Sequence, residues 1–358
     1  MSLKYRTGLS DIPSYDAKPE RIWGIQINAN ECNMPMPPLV EERVLTRLSR
    51  VAFNRYPNEQ YADLADQIAK NFGVAPEQVL LGSGSSEIIE KLFYCFGGSP
   101  AQKIVFPDPS FSMYHIYAKA AQATEVVVPL EADMTLDIDK FVSAVVDNQA
   151  SLAVICNPNN PTGTVLSVSD IQYIADNIPK DTAFLVDEAY VEFYGKSAVG
   201  LLKDYPNLII ARTFSKAYGL AATRVGYMLA SREITDMIGK AYMPYHMNTL
   251  SLVTADICYQ MRQEFVPHIQ IMISERKRMA EQVKQLKGFA VYPSETNFLL
   301  VHNNDIDGLI ERLEANDIGV RKFGKDSRLK DCVRISMGTR EENDTWYAVC
   351  KAFSEGRA

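Results

Sequence analysis

Short, continuous apolar runs alternate with amphipathic helical segments between about residues 60 and 230, and this alternation constrains the fold most strongly. The runs KIVF, EVVV, LAVIC, AFLV, NLII and VGYML are apolar at consecutive positions, which is typical of strands buried on both faces of a sheet. Among the helical segments, YADLADQIAKNFG places Leu64, Ile68 and Phe72 on one helical face and ends at Gly73. Strands that alternate with helices predict an α/β fold with a mostly parallel central sheet.

The sequence pattern changes after about residue 245. A long amphipathic segment, HIQIMISERKRMAEQVKQLKG, is followed by the predicted strands NFLLV, GVRKF and VRISMG, with the helix DGLIERLEAND among them. The last predicted helix contains Trp346, Val349 and Phe353. We therefore predict a smaller α+β domain at 246–358, a large domain at 46–245, and an N-terminal segment at 1–45 that packs with the small domain.

Two loops rich in small or polar residues follow predicted strands. GSGSSE at 82–87 opens a helix, so its backbone N–H groups can approach a phosphate. The dinucleotide-binding fingerprint needs glycine where this loop has Glu87, which disfavours a nicotinamide site. CNPNNPTG at 156–163 follows the strand LAVIC, at the sheet edge where ligands bind in open α/β folds. Taken alone, a structural turn explains either loop at least as well.

Two charged residues follow apolar strands. Asp187 ends the run AFLV, where a charge is costly unless it is paired, so a cationic ligand group would explain it. A helix-capping carboxylate is the alternative. Lys216 follows NLII in a turn of small residues, and a partly desolvated lysine can be neutral near pH 7 and form a Schiff base. Eight residues on, Arg224 can bind a phosphate through two hydrogen bonds. A solvated lysine is the ordinary alternative, which Asp187 and Arg224 argue against.

Composition and charge argue against several classes of protein. The 358 residues are 47% hydrophobic and 23% charged, as in globular proteins of about two domains. Lys and Arg total 37 against 44 Asp and Glu, so we predict no nucleic-acid partner. No apolar run approaches the ~20 residues of a membrane span, and the first residues lack an apolar signal core, so we expect a cytoplasmic protein without membrane association. The six cysteines form no C-x-x-C pair and the four histidines are scattered, so we predict no metal site.

The motifs together, in their order and spacing, resemble those of the pyridoxal-phosphate-dependent aminotransferases of fold type I. N-P-T-G is followed by D-E-A-Y and then by S-K-x-x-G-L-A-x-x-R, and the resemblance extends from NANE at 28–31 to VRISMGTREE at 333–342. Within this family the chain resembles the group of histidinol-phosphate aminotransferases. The resemblance implies pyridoxal 5'-phosphate (PLP) as cofactor, an amino donor and a keto-acid acceptor as substrates, and a homodimer with shared active sites.

The resemblance also assigns roles toward the cofactor. Lys216 matches the lysine that forms the Schiff base, and Asp187 matches the carboxylate that pairs with the pyridine nitrogen. Asn160 and Tyr190 match the pair that hydrogen-bonds the phenolic oxygen of the ring, and Phe111 matches the stacking aromatic residue. The residues that match the phosphate cradle, or lie close to it, are Ser85, Ser86, Thr213, Ser215, Arg224 and, from the other subunit, Tyr56.

Four further residues match substrate-binding positions of the family. Arg334 matches the arginine that holds the substrate's carboxylate or an equivalent anion, and Arg321 matches a second arginine for a distal anion. Tyr15 and Asn30 match residues that line the pocket. The resemblance therefore implies amino transfer between histidinol phosphate and 2-oxoglutarate in a ping-pong cycle. The alternatives are an aminotransferase for aromatic or other amino acids and a threonine-phosphate decarboxylase on the same scaffold.

The sequence departs from the family pattern at a few positions. The motif N-E-N-P-x-G is replaced by a segment that contains Cys32 and Met34, near the predicted substrate entrance. Ser86 stands where aspartate is common, and Phe111 where tyrosine is frequent. None of these changes removes a group that the chemistry needs, but Cys32 and Met34 leave the substrate open. A non-catalytic regulator on this fold is a further alternative, disfavoured because we find no basic extension for DNA binding. A nicotinamide dehydrogenase is another alternative, disfavoured by Glu87.

Overall fold

A seven-stranded sheet lies at the centre of the fold. The computed structural model describes residues 6, 8–12, 21–57, 59–325 and 327–357, and the predicted substrate residue Tyr15 lies outside them. The strands, in chain order, are β1 (Ile25–Gln26), β2 (Val79–Gly82), β3 (Lys103–Asp108), β4 (Thr124–Pro129), β5 (Leu152–Cys156), β6 (Ala183–Asp187), β7 (Leu208–Thr213), β8 (Gly226–Leu229), β9 (Phe289–Val291), β10 (Phe298–Asn303), β11 (Ile318–Gly319), β12 (Arg321–Lys322) and β13 (Cys332–Ser336).

The order of strands in the large sheet is β2-β8-β7-β6-β5-β3-β4. Strand β8 runs antiparallel to both of its neighbours, and the other pairs are parallel. The α-helices are α1 (Pro38–Leu48), α2 (Glu59–Phe72), α3 (Ser85–Phe96), α4 (Met113–Ala120), α5 (Ile138–Asp147), α6 (Val168–Asn177), α7 (Val191–Tyr194), α8 (Arg232–Gly239), α9 (Thr249–Gln260), α10 (Val266–Val283), α11 (Ile306–Ala315) and α12 (Arg340–Ser354). The predicted α/β fold with a mostly parallel central sheet is confirmed.

Helices cover both faces of this sheet, which explains the continuous apolar runs. In β6, Phe184 and Val186 belong to one core cluster, which includes residues of α1, α2, α5, α6 and α9. Ala183 and Leu185 of the same strand belong to a second cluster, which includes residues of α3, α4 and α8. Alternate side chains of one strand therefore enter different cores, and every position has to be apolar.

A smaller antiparallel sheet, in the order β12-β13-β10-β9, follows in the second part of the chain. Its core contains Met279 of α10, Leu309 of α11 and Trp346 of α12. Near the N-terminus, β1 pairs in parallel with β11 and Ile27 joins the same core. Residues 25–27 are therefore attached to the smaller part of the structure.

Two helices lie on the other side of the predicted domain boundaries. Val40 and Val44 of α1 pack in the core of the large sheet, although the N-terminal segment at 1–45 was expected to pack with the small domain. Helix α9, which falls within 246–358, contributes Leu252 and Cys258 to the same core. Periodicity identifies the apolar face of a helix but not the sheet that the face covers. Helices α1 and α9 therefore pack on the large sheet, and the division into domains at 45 and 245 stays a prediction.

No helix in the described ranges combines the length and the apolar character needed to cross a membrane. Within those ranges there is also no group of three or more His, Cys, Asp or Glu side chains placed to hold a metal ion.

Candidate active site

The carboxyl ends of three neighbouring strands bring most of the predicted residues to one edge of the large sheet. Asp187 is the last residue of β6 and pairs in register with Cys156, the last residue of β5. The loop with Asn160 follows β5, and Ser215 and Lys216 follow β7. Because β5, β6 and β7 are parallel and adjacent, these side chains meet at the edge where open α/β sheets bind ligands.

Asp187 is a buried carboxylate held by two donors. The Tyr114 hydroxyl donates a hydrogen bond to its Oδ2 at 2.9 Å, and the Ala189 backbone N–H donates to its Oδ1 at 3.2 Å. Burial raises the pKa of the Asp187 carboxyl to about 6, and the Tyr114 hydrogen bond opposes this shift. No ion pair satisfies Asp187 within the described residues, so the site is suited to a cationic ligand group.

Lys216 lies beside the N-terminal segment. Its Nζ donates a hydrogen bond to the Ala29 carbonyl at 3.0 Å. Burial lowers the pKa of the Lys216 ammonium to about 8, with further lowering by the positive charges of Arg334 and Arg224. A neutral amine, the form that attacks carbonyl groups, is therefore accessible near neutral pH.

The predicted phosphate cradle surrounds the start of α3. The helix begins at Ser85 with Gly84 as its N-cap, at a positive φ of 79° that favours glycine. A Cβ at Gly84 would collide with the Arg224 guanidinium, which shows how closely that arginine lies against the turn. Arg224 also donates to the Ser215 Oγ at 3.4 Å. Helix N–H groups, hydroxyls and a guanidinium thus converge at one place, which suits a phosphate.

Within the cradle, the Ser215 backbone N–H donates to Thr213 Oγ1 at 3.1 Å. Ser86 lies within hydrogen-bonding reach of Tyr117, whose pKa burial raises to about 12. The structure therefore brings Ser85, Ser86, Thr213, Ser215 and Arg224 to the same end of the sheet.

Two asparagine amides connect the edge of the large sheet with the smaller sheet. The Asn30 Nδ2 donates to the Tyr190 hydroxyl at 2.9 Å. The Arg334 Nη1 donates to the Asn160 Oδ1 at 2.6 Å, and its Nη2 donates to the Asn28 carbonyl at 2.7 Å. The two side-chain hydrogen bonds join the predicted pair Asn160 and Tyr190 to the predicted substrate residues Arg334 and Asn30. All four side chains are buried.

The remaining predicted residues lie at the margins of this cluster. Phe111 contacts the Tyr114 ring edge-on, with centroids 5.5 Å apart. Arg321 is exposed, and in the ladder between β12 and β13 it pairs directly with Arg334. Tyr56 is 71% exposed and stacks on Tyr245 at 4.3 Å, and within the described residues no hydrogen bond joins it to the phosphate cradle of its own chain.

Cys32 and Met34 are half-buried against a cluster that contains Tyr190 and Ala217. The Cys32 side chain also lies next to Gly219, within the glycine-containing turn after Lys216. Cys32 and Met34, two of the departures from the family pattern, therefore lie close to the segment that carries Lys216.

Sequence reasoning missed several buried residues of the site. Tyr114 on α4 bonds Asp187, and Ser336 on β13 bonds Asn30 through two hydrogen bonds. The Asn297 Nδ2 donates to the Asn30 carbonyl at 3.1 Å. The only signal available beforehand was that Ser336 stands two residues after Arg334, so that both side chains lie on one face of β13.

These residues fit PLP, judged by the groups that they present. Asp187 offers a buried carboxylate to the pyridine nitrogen, the turn around Gly84 offers donors to the phosphate, and Lys216 offers an amine with a lowered pKa. The sheet, the lysine at its edge and the buried aspartate define a fold type I PLP-dependent enzyme. The family model for aminotransferases of class I and II matches residues 24–349, and the chain belongs to this family.

Individual relatives agree with this family. A histidinol-phosphate aminotransferase from a Thermoanaerobacter species is 36% identical over 89% of this chain and 90% of its own length. An aromatic amino acid aminotransferase from Mycolicibacterium smegmatis is 33% identical over 97% of this chain and 94% of its own length. The crystal structure of histidinol-phosphate aminotransferase from Sinorhizobium meliloti in complex with PLP superposes with a TM-score of 0.90 and 23% identity, covering 99% of each chain. The protein is thus a PLP-dependent aminotransferase that acts on an amino donor and a keto-acid acceptor.

Proposed function

We propose that this aminotransferase moves an amino group between histidinol phosphate and 2-oxoglutarate, as part of histidine biosynthesis. The observation that carries the proposal is the cross-strand pair of Arg321 and Arg334. Directly opposed residues of antiparallel strands project their side chains from the same face of a sheet. Two guanidinium groups on one face are suited to a substrate anion, either the phosphate of histidinol phosphate or the carboxylates of glutamate.

The two arginines differ in their surroundings. Arg334 is buried and is held by the Asn160 Oδ1 and the Asn28 carbonyl, so its position is fixed before a substrate arrives. Arg321 is exposed and can adjust to anions at different distances. One rigid and one adjustable guanidinium match a reaction in which a phosphorylated amine and a dicarboxylic acid occupy the same pocket in turn.

The roles that we propose for the other residues follow from their positions. When bound, PLP supplies the carbonyl group that takes up the amino group and a ring that withdraws electrons from the substrate carbon. Asp187 orients the pyridine nitrogen and favours its protonated form. Asn160 and Tyr190 donate hydrogen bonds to the phenolic oxygen, and Phe111 stacks on the ring. Lys216 moves the proton at the substrate carbon that bears the amino group.

Binding of the phosphate group is a further part of the proposal. Ser85, Ser86, Ser215 and Arg224, with Thr213 beside them, hold it through the start of α3 and their hydroxyl and guanidinium groups.

A homodimer with shared active sites is also part of this proposal. Tyr56 and Tyr245 form an exposed aromatic stack, flanked by Phe53, which is 80% exposed, and Met243, which is 75% exposed. Apolar side chains exposed in one region are typical of an interface. A second copy on this face would bring Tyr56 toward the phosphate cradle of its partner.

A cytoplasmic location fits the state of the cysteines. None of the six forms a disulfide, as expected in a reducing compartment.

An aromatic amino-acid aminotransferase is the second candidate function. The Mycolicibacterium smegmatis relative supports it at nearly the same identity as the histidinol-phosphate relative. In this case Arg334 would hold the α-carboxylate of the amino acid, and the aromatic side chain would offer Arg321 no anion.

A half-reaction tests the proposal. The purified protein is loaded with PLP and mixed with histidinol phosphate in the absence of a keto acid, and the absorption spectrum of the cofactor is followed. We expect rapid conversion to pyridoxamine phosphate, with glutamate as a positive control and the Lys216→Ala variant as a negative control. Conversion by glutamate or phenylalanine but not by histidinol phosphate would contradict the proposed substrate. Release of carbon dioxide from threonine phosphate would instead identify a decarboxylase.

A further inference from the structure

We propose that Ser336 is a positioning residue that sets the direction of the hydrogen bond between Asn30 and Tyr190, and thereby aims the Tyr190 hydroxyl hydrogen at the cofactor. The inference rests on the proposed function, because it takes the phenolic oxygen of PLP as the acceptor that faces Tyr190. It adds a role for a residue that neither the motifs nor the mechanism requires.

Ser336 is buried on β13. Its Oγ accepts a hydrogen bond from the Asn30 backbone N–H at 2.8 Å. A backbone N–H can only donate, so the hydroxyl hydrogen of Ser336 has to find another partner. That partner is the Asn30 Oδ1, at 3.0 Å from the Ser336 Oγ.

The hydroxyl of Ser336 determines the orientation of the Asn30 amide. The oxygen and nitrogen of an asparagine amide are assigned from the hydrogen-bond network. Rotation of the Asn30 amide by 180° would place its NH₂ group against Ser336 and leave the Ser336 hydroxyl hydrogen without an acceptor within the described residues. An unsatisfied buried donor is unfavourable. Ser336 therefore holds Oδ1 on its own side and Nδ2 on the side of Tyr190.

Tyr190, the partner of the Asn30 Nδ2, is also buried. Its hydroxyl oxygen accepts from the Asn30 Nδ2 at 2.9 Å, and within the described residues its hydrogen is donated to no protein acceptor. The Tyr190 hydrogen is consequently free for a ligand oxygen. With the reverse amide orientation, Tyr190 would donate to Asn30 and would have no hydrogen left for the cofactor.

The backbone around Asn30 supports this arrangement. Asn30 has a φ of 55°, in the left-handed region that few residues other than glycine occupy, and asparagine is among those that tolerate it. The Asn297 Nδ2 holds the Asn30 carbonyl at 3.1 Å, and the Ser336 backbone N–H donates to the Ile27 carbonyl at 2.9 Å. The segment that carries Asn30 is thus fixed on both sides against the smaller sheet.

The experiment is a pH titration of the PLP-loaded protein without substrate, followed by the absorption band of the bound cofactor. A hydrogen bond donated to the phenolic oxygen stabilises its ionised form and lowers the pH midpoint of the spectral change. We expect Ser336→Ala to raise the midpoint by about half to one pH unit, as for the loss of one neutral hydrogen bond. Ser336→Thr retains the hydroxyl and should keep the wild-type midpoint.

Three further variants make the test specific. Ser251→Ala removes another buried serine that is hydrogen-bonded to an asparagine side chain, here as acceptor from Asn248 Nδ2 at 2.9 Å, and should leave the midpoint unchanged. Ser336→Cys has a weaker donor and should give a midpoint between those of wild type and Ser336→Ala. It takes the place of Ser336→Ala if the alanine variant does not fold. Tyr190→Phe should raise the midpoint at least as much as Ser336→Ala.

The outcomes separate this inference from the proposed function. A raised midpoint in Tyr190→Phe with an unchanged midpoint in Ser336→Ala or Ser336→Cys would overturn the role of Ser336 and leave the assignment of Tyr190 intact. Equal shifts in Ser336→Ala and Ser336→Thr would show an effect of volume and would also overturn it. An unchanged midpoint in Tyr190→Phe would remove the assignment of Tyr190 and, with it, the inference.

Discussion

The Nη1 of Arg334 donates a hydrogen bond to the Oδ1 of Asn160 at 2.6 Å. Because arginine has no acceptor, this bond fixes the direction of the Asn160 amide and turns its Nδ2 away from Arg334. The contact joins β13 of the smaller sheet to the loop after β5 of the large sheet. The residue proposed to bind the substrate anion therefore also orients a residue proposed to bind the cofactor.

Replacement of Arg334 by lysine should lower kcat/KM for both substrates by about 10- to 100-fold. Lysine keeps the charge but cannot bond Asn160 and the Asn28 carbonyl while it also holds a substrate anion through two donors. Steady-state kinetics with each substrate measures this effect. Arg278→Lys is the matched control, because Arg278 on α10 bonds Glu275 of the same helix and Asp344 of α12. Equal kcat/KM values in wild type and Arg334→Lys would contradict the role of Arg334.

Asp187→Asn should stabilise the cofactor-free protein at neutral pH. The pKa of Asp187 in the folded protein, about 6, lies above its ordinary value of 3.8, because burial disfavours the charged form. The protonated group favours folding at low pH, and this contribution is lost as the pH rises through about 6. The variant should therefore gain about 2–3 kcal/mol over wild type at pH 7.5 and little at pH 4. Its affinity for PLP should fall, because the partner of the pyridine nitrogen is lost.

Urea unfolding of both cofactor-free proteins across this pH range measures the difference in the free energy of unfolding. Asp236→Asn serves as the control, because Asp236 is an exposed residue in a surface ion pair with Arg232. Parallel stability curves for wild type and Asp187→Asn would show that burial of this carboxylate has no cost.

The strands and the position of the site followed from the sequence because they depend on local patterns. Runs such as LAVIC and AFLV are apolar on both faces of the sheet, and the positions of Asp187 and Lys216 after strands place both at one edge. Tyr114 and Ser336 escaped prediction because their partners are distant in the chain, 73 residues away for Asp187 and 306 residues away for Asn30. No local pattern records such contacts.

The hydrogen bond from Tyr114 to Asp187 provides a test of one such residue. Tyr114→Phe removes a donor to the ionised carboxylate, so the pKa of Asp187 should rise further and PLP should bind about tenfold more weakly. Equilibrium titration of the cofactor-free protein with PLP measures the affinity. Tyr205→Phe is the matched control, because the Tyr205 hydroxyl also donates to a carboxylate, that of Asp176 on α6, at 2.6 Å. An affinity as high as that of the control would show that Asp187 does not depend on Tyr114.

Hybrid dimers test whether Tyr56 acts across the proposed interface. In a dimer of one Tyr56→Ala and one Lys216→Ala subunit, shared active sites predict that one site contains both Lys216 and the partner's Tyr56. The two chains carry different affinity tags, so that the hybrid can be purified, and its PLP affinity is compared with that of the Tyr56→Ala homodimer. We expect one site per hybrid with wild-type affinity for PLP. The control hybrid carries Tyr173→Ala in place of Tyr56→Ala and should also have one site with wild-type affinity, because Tyr173 lies on α6 and bonds Asp139. If Tyr56 acted within its own chain, the first hybrid would bind PLP only as weakly as the Tyr56→Ala homodimer.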